Sequence, residues 1–345
     1  MNLTSSQKSA IHAVSEYTKI HQDKYLELRD MILYQSGIDQ KVYDEYCDKL
    51  KRFSRIGIHF HPDRYTSDHA LIIEGMIASG KYKNQYETQV SSGSVTAFKG
   101  GAREEWEDHI FKGAYQNTPF TERPKYGALH LNMSKDGPSP RFGSCYFLLK
   151  PEIKNRTTFS YGDTYDSPKE LGTIQEFEFI NTALLKDLSI RGTALGIAHN
   201  KVSDFFSQTN KQLPQAGNYN LFNPPSKNLD FYIEAQIHGD LLLKDDIDAL
   251  VADDSFLGTS IGNHLETLSK KFDINLTWHK GPELPVDDFP WDFRGPDVPA
   301  FAKKIGRDGK VNAFVLGEAG KQMDKTHENL QMMKYLWHCL VRFGY

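Results

Sequence analysis

The sequence predicts an α+β fold, and three observations carry that expectation. Residues 7 to 53 repeat apolar side chains at helical spacing, and from Arg55 to about Val251 the pattern changes to short alternating runs bounded by Gly, Pro, Asn and Asp. The last stretch returns to helical spacing. In the first region Ile11, Val14, Tyr17 and Ile20 share one predicted helical face. Tyr25, Leu28, Met31 and Tyr34 form a second run before Gly37 interrupts it, and a third helix is expected over Asp39 to Phe53. This divides the chain into an N-terminal helical element, residues 1–54, and a mixed β core with its C-terminal extension, residues 55–345. Between Glu283 and Pro299 the segment Pro285 to Pro296 is too broken by Pro and Asp for regular structure. Ala300 to Ile305 and Met323 to Phe343 then read as helices that pack back on the core.

Composition narrows the class. Of 345 residues, 39% are hydrophobic, enough for a substantial core. The 41 basic and 45 acidic residues leave a formal net charge of -4, which argues against a nucleic-acid groove or an anionic membrane as the main partner. Cys47, Cys145 and Cys339 are odd in number and lack CxxC spacing, so neither a disulfide framework nor a zinc ribbon is expected. The stretch Met1 to Lys8 leads into polar sequence without the apolar core of a secretory signal, and no segment reaches the length of a membrane span. The expectation is a cytoplasmic protein, compatible with export by a system that needs no signal peptide.

The most informative run is Phe231 to Gly239. Read as a strand, it sends Phe231, Ile233, Ala235 and Ile237 to a core and aligns Glu234, Gln236 and His238 on the other face. A catalytic strand has this form, and so has an ordinary half-buried strand with a polar outer face. Further candidates lie where other strands end. Ile56 to Phe60 alternates into His61 and Pro62, which should stop the ladder and leave Arg64 just beyond it. Arginine there suits anion binding through its planar donor fork, or an ion pair with Asp63 or Asp68. His59, His61 and His69 raise a metal site, but no matching carboxylate or cysteine pattern accompanies them. Tyr82 and Tyr86 stand among amides and hydroxyls and can stack on a planar ring, or be buried with their hydroxyls satisfied. Arg141 and Gly143 open an apolar strand through Leu149, and Cys145 within it is expected to be buried and unreactive. Thr158 and Ser160 share one face of the next strand, either to hold a ligand or to pair across strands.

In chain order these are an arginine after an early strand, a hydroxyl-x-hydroxyl strand and a glutamate on a late strand. That order resembles the arginine, serine, glutamate pattern of the ADP-ribosyltransferase superfamily. From about residue 55 the chain also looks like a bacterial domain-of-unknown-function family. The resemblance rests on seven ordered strings: His59 to Arg64, Gln85 to Thr88, Tyr126 to Leu129, Pro140 to Cys145, Thr158 to Asp163, Glu234 to Gly239 and Phe293 to Pro296. The layout is similar to that of bacterial effectors of the CteC type, which ADP-ribosylate threonine in ubiquitin. Ser91-Ser92-Gly93 departs from an expected Ser-Asn-Gly turn.

The resemblance implies an ADP-ribosyltransferase-like core that uses NAD as its substrate. Glu234 would hydrogen-bond the ribose and stabilise the positive charge that develops as nicotinamide leaves. Arg64, with His61 and Arg141 beside it, would hold the pyrophosphate or adjoining ribose. Thr158 and Ser160 would support the nicotinamide half and orient Glu234, and Tyr82 or Tyr86 would stack on the nicotinamide ring. Gln236 would guide the acceptor, a protein hydroxyl, with ubiquitin among the candidates. In many members of that superfamily the guiding residue lies two before the glutamate. Tyr232 occupies that place here, which disfavours an arginine acceptor. An NAD glycohydrolase and a non-catalytic nucleotide- or protein-binding module are the alternatives.

Overall fold

The structure, a computed structural model, describes residues 2–66, 70–90, 96–218, 223–324 and 326–345. Its centre is an eight-stranded mixed sheet in the order Asn275–His279, Ile247–Asp253, Cys145–Leu149, Ile56–Phe60, Lys125–Leu129, Ile233–Ile237, Thr157–Tyr161, Leu171–Thr173. The first pair is parallel, and the remaining pairs are antiparallel. The Ile233–Ile237 strand therefore lies inside the sheet, hydrogen-bonded on both edges. Every one of its residues is buried, so its polar face meets another layer rather than bulk solvent.

One sheet face supplies the main core. Phe159, Ile233, Ala235 and Ile237 join Ile180, Leu184 and Leu185 of the Glu178–Arg191 helix in one apolar cluster. Each buried Phe, Ile or Leu among them contributes roughly 1.5–3 kcal/mol relative to exposure. Phe231 does not belong to this row, contrary to the alternation read from the sequence. The strand begins only at Ile233, and Phe231 is 50% exposed.

The N-terminal element is two helices, Ser5–Gln35 and Gln40–Phe53. Thr4 opens the first through a capping box with Gln7, and its hydroxyl also donates to Glu122 at 2.7 Å, which pins the helix start to the core. The inner face of that helix is Ala10, Val14 and Thr18, followed by Ile32 and Leu33. Ile20 is 74% exposed and Tyr34 86%. The predicted faces hold at Val14, which is buried, and at Tyr17, which packs edge-on to Phe179, and fail at Ile20 and Tyr34; Tyr25 stacks on Phe179 with ring centroids 3.9 Å apart. Arg29 and Tyr43 both reach Glu178, at 3.0 and 2.6 Å. Buried Lys154 donates to the Leu50 and Ser54 carbonyls at the end of the second helix, where Leu50 also accepts from the Ser54 amide and hydroxyl.

At the C-terminus the helices are Val298–Ile305, Ala313–Lys321 and His327–Phe343. The middle one, capped by the Asn312 side chain on the Val315 amide, was not read from the sequence. Met323 lies outside the last helix, which starts after its Thr326 cap. Trp337 ties that helix to the sheet by donating to the Pro140 carbonyl at 2.9 Å. No helix among the described residues is long and apolar enough to cross a membrane.

Candidate functional site

A cleft of about 840 Å³ opens beside the Ile233–Ile237 strand, within the roughly 300–1,000 Å³ of small-molecule sites. Glu234, Arg64, His61, Tyr82 and Arg141 line it. So do Arg103, Tyr126, Asp163, Thr164, Tyr232, Lys334 and His338, to which the sequence reading assigned no binding role apart from the weighing of Tyr232.

Glu234 is held from behind. Strand register sets Ser160 opposite Glu234 and Thr158 opposite Gln236. Thr164 Oγ1 donates to Glu234 Oε1 at 2.7 Å, and Gln236 Nε2 donates to the same oxygen at 3.1 Å. The Gln236 amide donates equally to Ser160 Oγ, at 3.1 Å, while its Oε1 accepts from Thr158 Oγ1 at 2.9 Å. With that hydroxyl proton committed, Thr158 accepts from His238 Nε2 at 3.1 Å, and His238 Nδ1 accepts from Tyr115 OH at 2.5 Å. Burial, followed by the charges of Arg156 and Lys125, pushes the His238 pKa down to about 3, so the ring is neutral and carries one donor and one acceptor as this chain requires. The result is a one-directional relay, Tyr115 to His238 to Thr158 to Gln236 to Glu234.

This relay redistributes the residues grouped from the sequence. Thr158, Ser160 and Gln236 are fully buried and do not line the cleft. They orient Glu234 from within the sheet, and Gln236 has no surface on which to meet an acceptor. His238, just past the end of this strand and set aside in favour of Glu234, belongs to the support.

Asp163 and Thr164 reach Glu234 because the Thr157–Tyr161 strand ends at Gly162. There φ is +100°, a conformation that L side chains rarely adopt, and the turn is closed by the Gly162 amide on the Tyr232 carbonyl at 3.0 Å. Tyr232 OH then donates to Asp163 at 2.8 Å. Burial, then the neighbouring Asp163 charge, raises the Glu234 pKa to about 7, while Thr164, Gln236 and the Arg103 charge act in the opposite direction. Arg103 is itself placed by stacking over Tyr126, 4.4 Å from the ring centroid, and by donating to Gln85 at 3.1 Å. A Gly-Asp-Thr turn after a hydroxyl strand was a readable signal for this side of the cleft. Arg103, on the Ala102–Ile110 helix, had none.

Tyr82 and Tyr86 part company. Tyr82 lines the cleft, with its ring edge-on to Phe147. Tyr86 turns away, stacks on Phe120 at 4.7 Å and donates to Glu107 at 3.3 Å. Glu107 is fully buried and also accepts from Arg123 at 2.7 Å and Tyr126 at 2.8 Å, so Tyr86 completes a buried charge network.

On the opposite wall, among the described residues no carboxylate lies within 4.0 Å of the Arg64 guanidinium. Asp63 instead points into the protein, where a Cβ on Gly317 would collide with its Oδ2. Asp68 and His69 lie outside the described residues, as does the Ser91-Ser92-Gly93 turn. Both nitrogens of His59 are engaged by backbone: Nδ1 sits 2.9 Å from the Gly143 carbonyl, and Nε2 accepts from the Ser139 amide at 3.3 Å. His61 packs edge-on against Trp337, and Arg141 pairs with Asp230 at 2.8 Å near the rim. Cys145 is fully buried, and burial pushes its thiol well above the ordinary value.

Residues 55–343 match the family described as protein of unknown function (DUF3626). The chain belongs to this family. The match covers the whole sheet, the cleft and the C-terminal helices, and leaves the two N-terminal helices outside it. No curated protein matches the chain.

Proposed function

We propose that this family member is a mono-ADP-ribosyltransferase, which cleaves NAD at the nicotinamide bond and passes ADP-ribose to a protein hydroxyl, with ubiquitin among the candidate acceptors. The observation that carries the reading is the cleft carboxylate Glu234, locked by Gln236 and Thr164 beside the Thr158/Ser160 strand in matched register. Cleavage puts positive charge on the ribose, and a fixed, nearly buried carboxylate stabilises that charge without having to reorganise. Arg64 is suited to a phosphate, and Tyr82 offers an aromatic ring to the cleft.

The burial of Gln236 favours a second reading of the same site, an NAD glycohydrolase, because the residue expected to guide an acceptor faces the protein interior. Tyr232, which lines the cleft two residues before Glu234, is the better-placed candidate for that contact. Incubation with labelled NAD decides among the readings. A transferase yields protein-linked label in a lysate, and a glycohydrolase yields only free ADP-ribose. Glu234→Ala is expected to abolish either product. NAD binding with no turnover under any acceptor would sink both and leave a non-catalytic nucleotide module.

A further inference from the structure

One end of the cleft gathers positive charge that the placement of Glu234 does not use. Lys334 and His338 stand four residues apart on one face of the His327–Phe343 helix, and both line the cleft. Among the described residues no carboxylate lies within 4.0 Å of the Lys334 ammonium. His338 is 1% exposed and its Nδ1 has no hydrogen-bond partner. Arg294 adds a second orphan, a buried Nε without an acceptor, from a loop where its own φ is +65° and that of Gly295 is +120°. Arg141 reaches the same place across the strand end.

These groups feel one another. Burial, then Arg294, Arg141 and Lys334, push the His338 pKa down to about 3, and burial followed by Arg141 and Arg294 lowers that of Lys334. The acids at hand are Asp163, which sits between Lys334 and Glu234 in its effects, and Asp230, which is paired to Arg141 at the rim. Lys334, Arg141 and Arg294 act together on His338, whose buried Nδ1 is unpartnered, and a bound anion relieves the repulsion among the three cations. His61 connects this cluster to Arg64, since it packs on Trp337 of the same helix and feels the Arg64 charge. Arg64 on one side of His61, and Arg141 with Lys334 among the other wall residues, give the same cleft more than one cation for a ligand with more than one phosphate.

We propose that Lys334, His338 and Arg141 form a phosphate-binding subsite, with the charge of nearby Arg294 behind it, which together with Arg64 grips the diphosphate of a nucleotide. The subsite deepens the reading of the cleft as an NAD site and rests on it only for the choice of nucleotide. The C-terminal helix then acts as part of the binding wall, and its Trp337 anchor on the Pro140 carbonyl sets the position of the grip.

Calorimetric titration of the full chain with ADP, adenosine and inorganic pyrophosphate tests this, alongside melting temperatures. ADP is expected to bind at least about ten-fold more tightly than adenosine, the difference that one charge-assisted contact supplies. Lys334→Met should lose about ten-fold for ADP and pyrophosphate, leave adenosine unchanged and melt as wild type, and Lys334→Arg should recover the loss. Should Lys334→Met melt early, Arg141→Gln carries the same comparison. Equal wild-type affinity for ADP and adenosine, or ADP affinity that neither variant changes, overturns the subsite. Failure of the NAD reading looks different: ADP binding that depends on Lys334, with NAD neither bound nor consumed. NAD consumption alongside an ADP affinity indifferent to Lys334 leaves the NAD reading standing and removes the subsite.

Discussion

At the residue scale, Glu234 ties stability to chemistry. Its carboxyl titrates at about 7 in the fold against an ordinary 4.5, because burial and then Asp163 disfavour the charge. Between those two values the folded protein keeps a proton that the unfolded chain has lost, so stability declines as pH rises through that window. Glu234→Gln preserves the acceptor for Thr164 and Gln236 while removing the ionisation. At pH 8 it is expected to be more stable than wild type by on the order of 2 kcal/mol, with little difference near pH 4.5. Denaturant unfolding at both pH values checks this, and an unchanged difference between them would show that the carboxylate is fully compensated. If the ionised form acts on NAD as proposed, kcat/KM of the wild type falls as pH drops below about 7. Sequence made Glu234 a candidate through alternation together with its order after Arg64 and the Thr158/Ser160 strand, but its titration depends on Asp163 and Thr164, which reach it only through the Gly162 turn.

At the element scale, the Ile233–Ile237 and Thr157–Tyr161 strands act as one unit. Period-two alternation was enough to place Glu234 with Gln236, and Thr158 with Ser160, on common faces. Periodicity carries no information on whether a face is covered, and here the layer above seals Gln236, Thr158 and His238 from the cleft. The relay predicts a separable effect. Thr158→Val keeps the shape but leaves Gln236 Oε1 without a donor, which costs about 1–3 kcal/mol and frees the amide to turn. NAD turnover should fall about ten-fold in kcat with KM nearly unchanged, since no relay member upstream of Glu234 lines the cleft. Thr158→Ser should restore kcat. A loss shared equally by kcat and Tm in both variants would reduce the relay to packing. The faces of the Ser5–Gln35 helix were misread in part for a related reason. Spacing placed Val14 and Tyr17 on the inner face, but the partner surface around Phe179 and Leu171 accepts Ala10 and Thr18 beside them and leaves Ile20 exposed.

At the scale of the whole molecule, the two N-terminal helices and the last helix are structural partners of the sheet. Ile32, Leu33, Tyr43, Tyr46 and Leu50 lie in the same apolar cluster as the sheet's own core, although the family match begins at residue 55. A chain beginning at residue 55 would expose that cluster and leave Lys154 without its acceptors at Leu50 and Ser54. It is expected to elute as aggregate and to lose its cooperative thermal transition, and a monomeric, cooperatively melting fragment would show that the helices are an independent attachment. By itself the sequence determined the α+β class, the helical ends, and the residues Glu234, Arg64, His61, Tyr82 and Arg141 that meet in the cleft, because periodicity and strand-ending residues are local properties. Tertiary structure alone decided that Gln236, Thr158 and Ser160 stand behind Glu234, that Tyr86 serves the Glu107 network, and that Lys334 and His338 complete the wall. Those assignments depend on strand order and on helices distant in sequence, and hydrogen-bond satisfaction in a buried layer is settled only when all partners are in place.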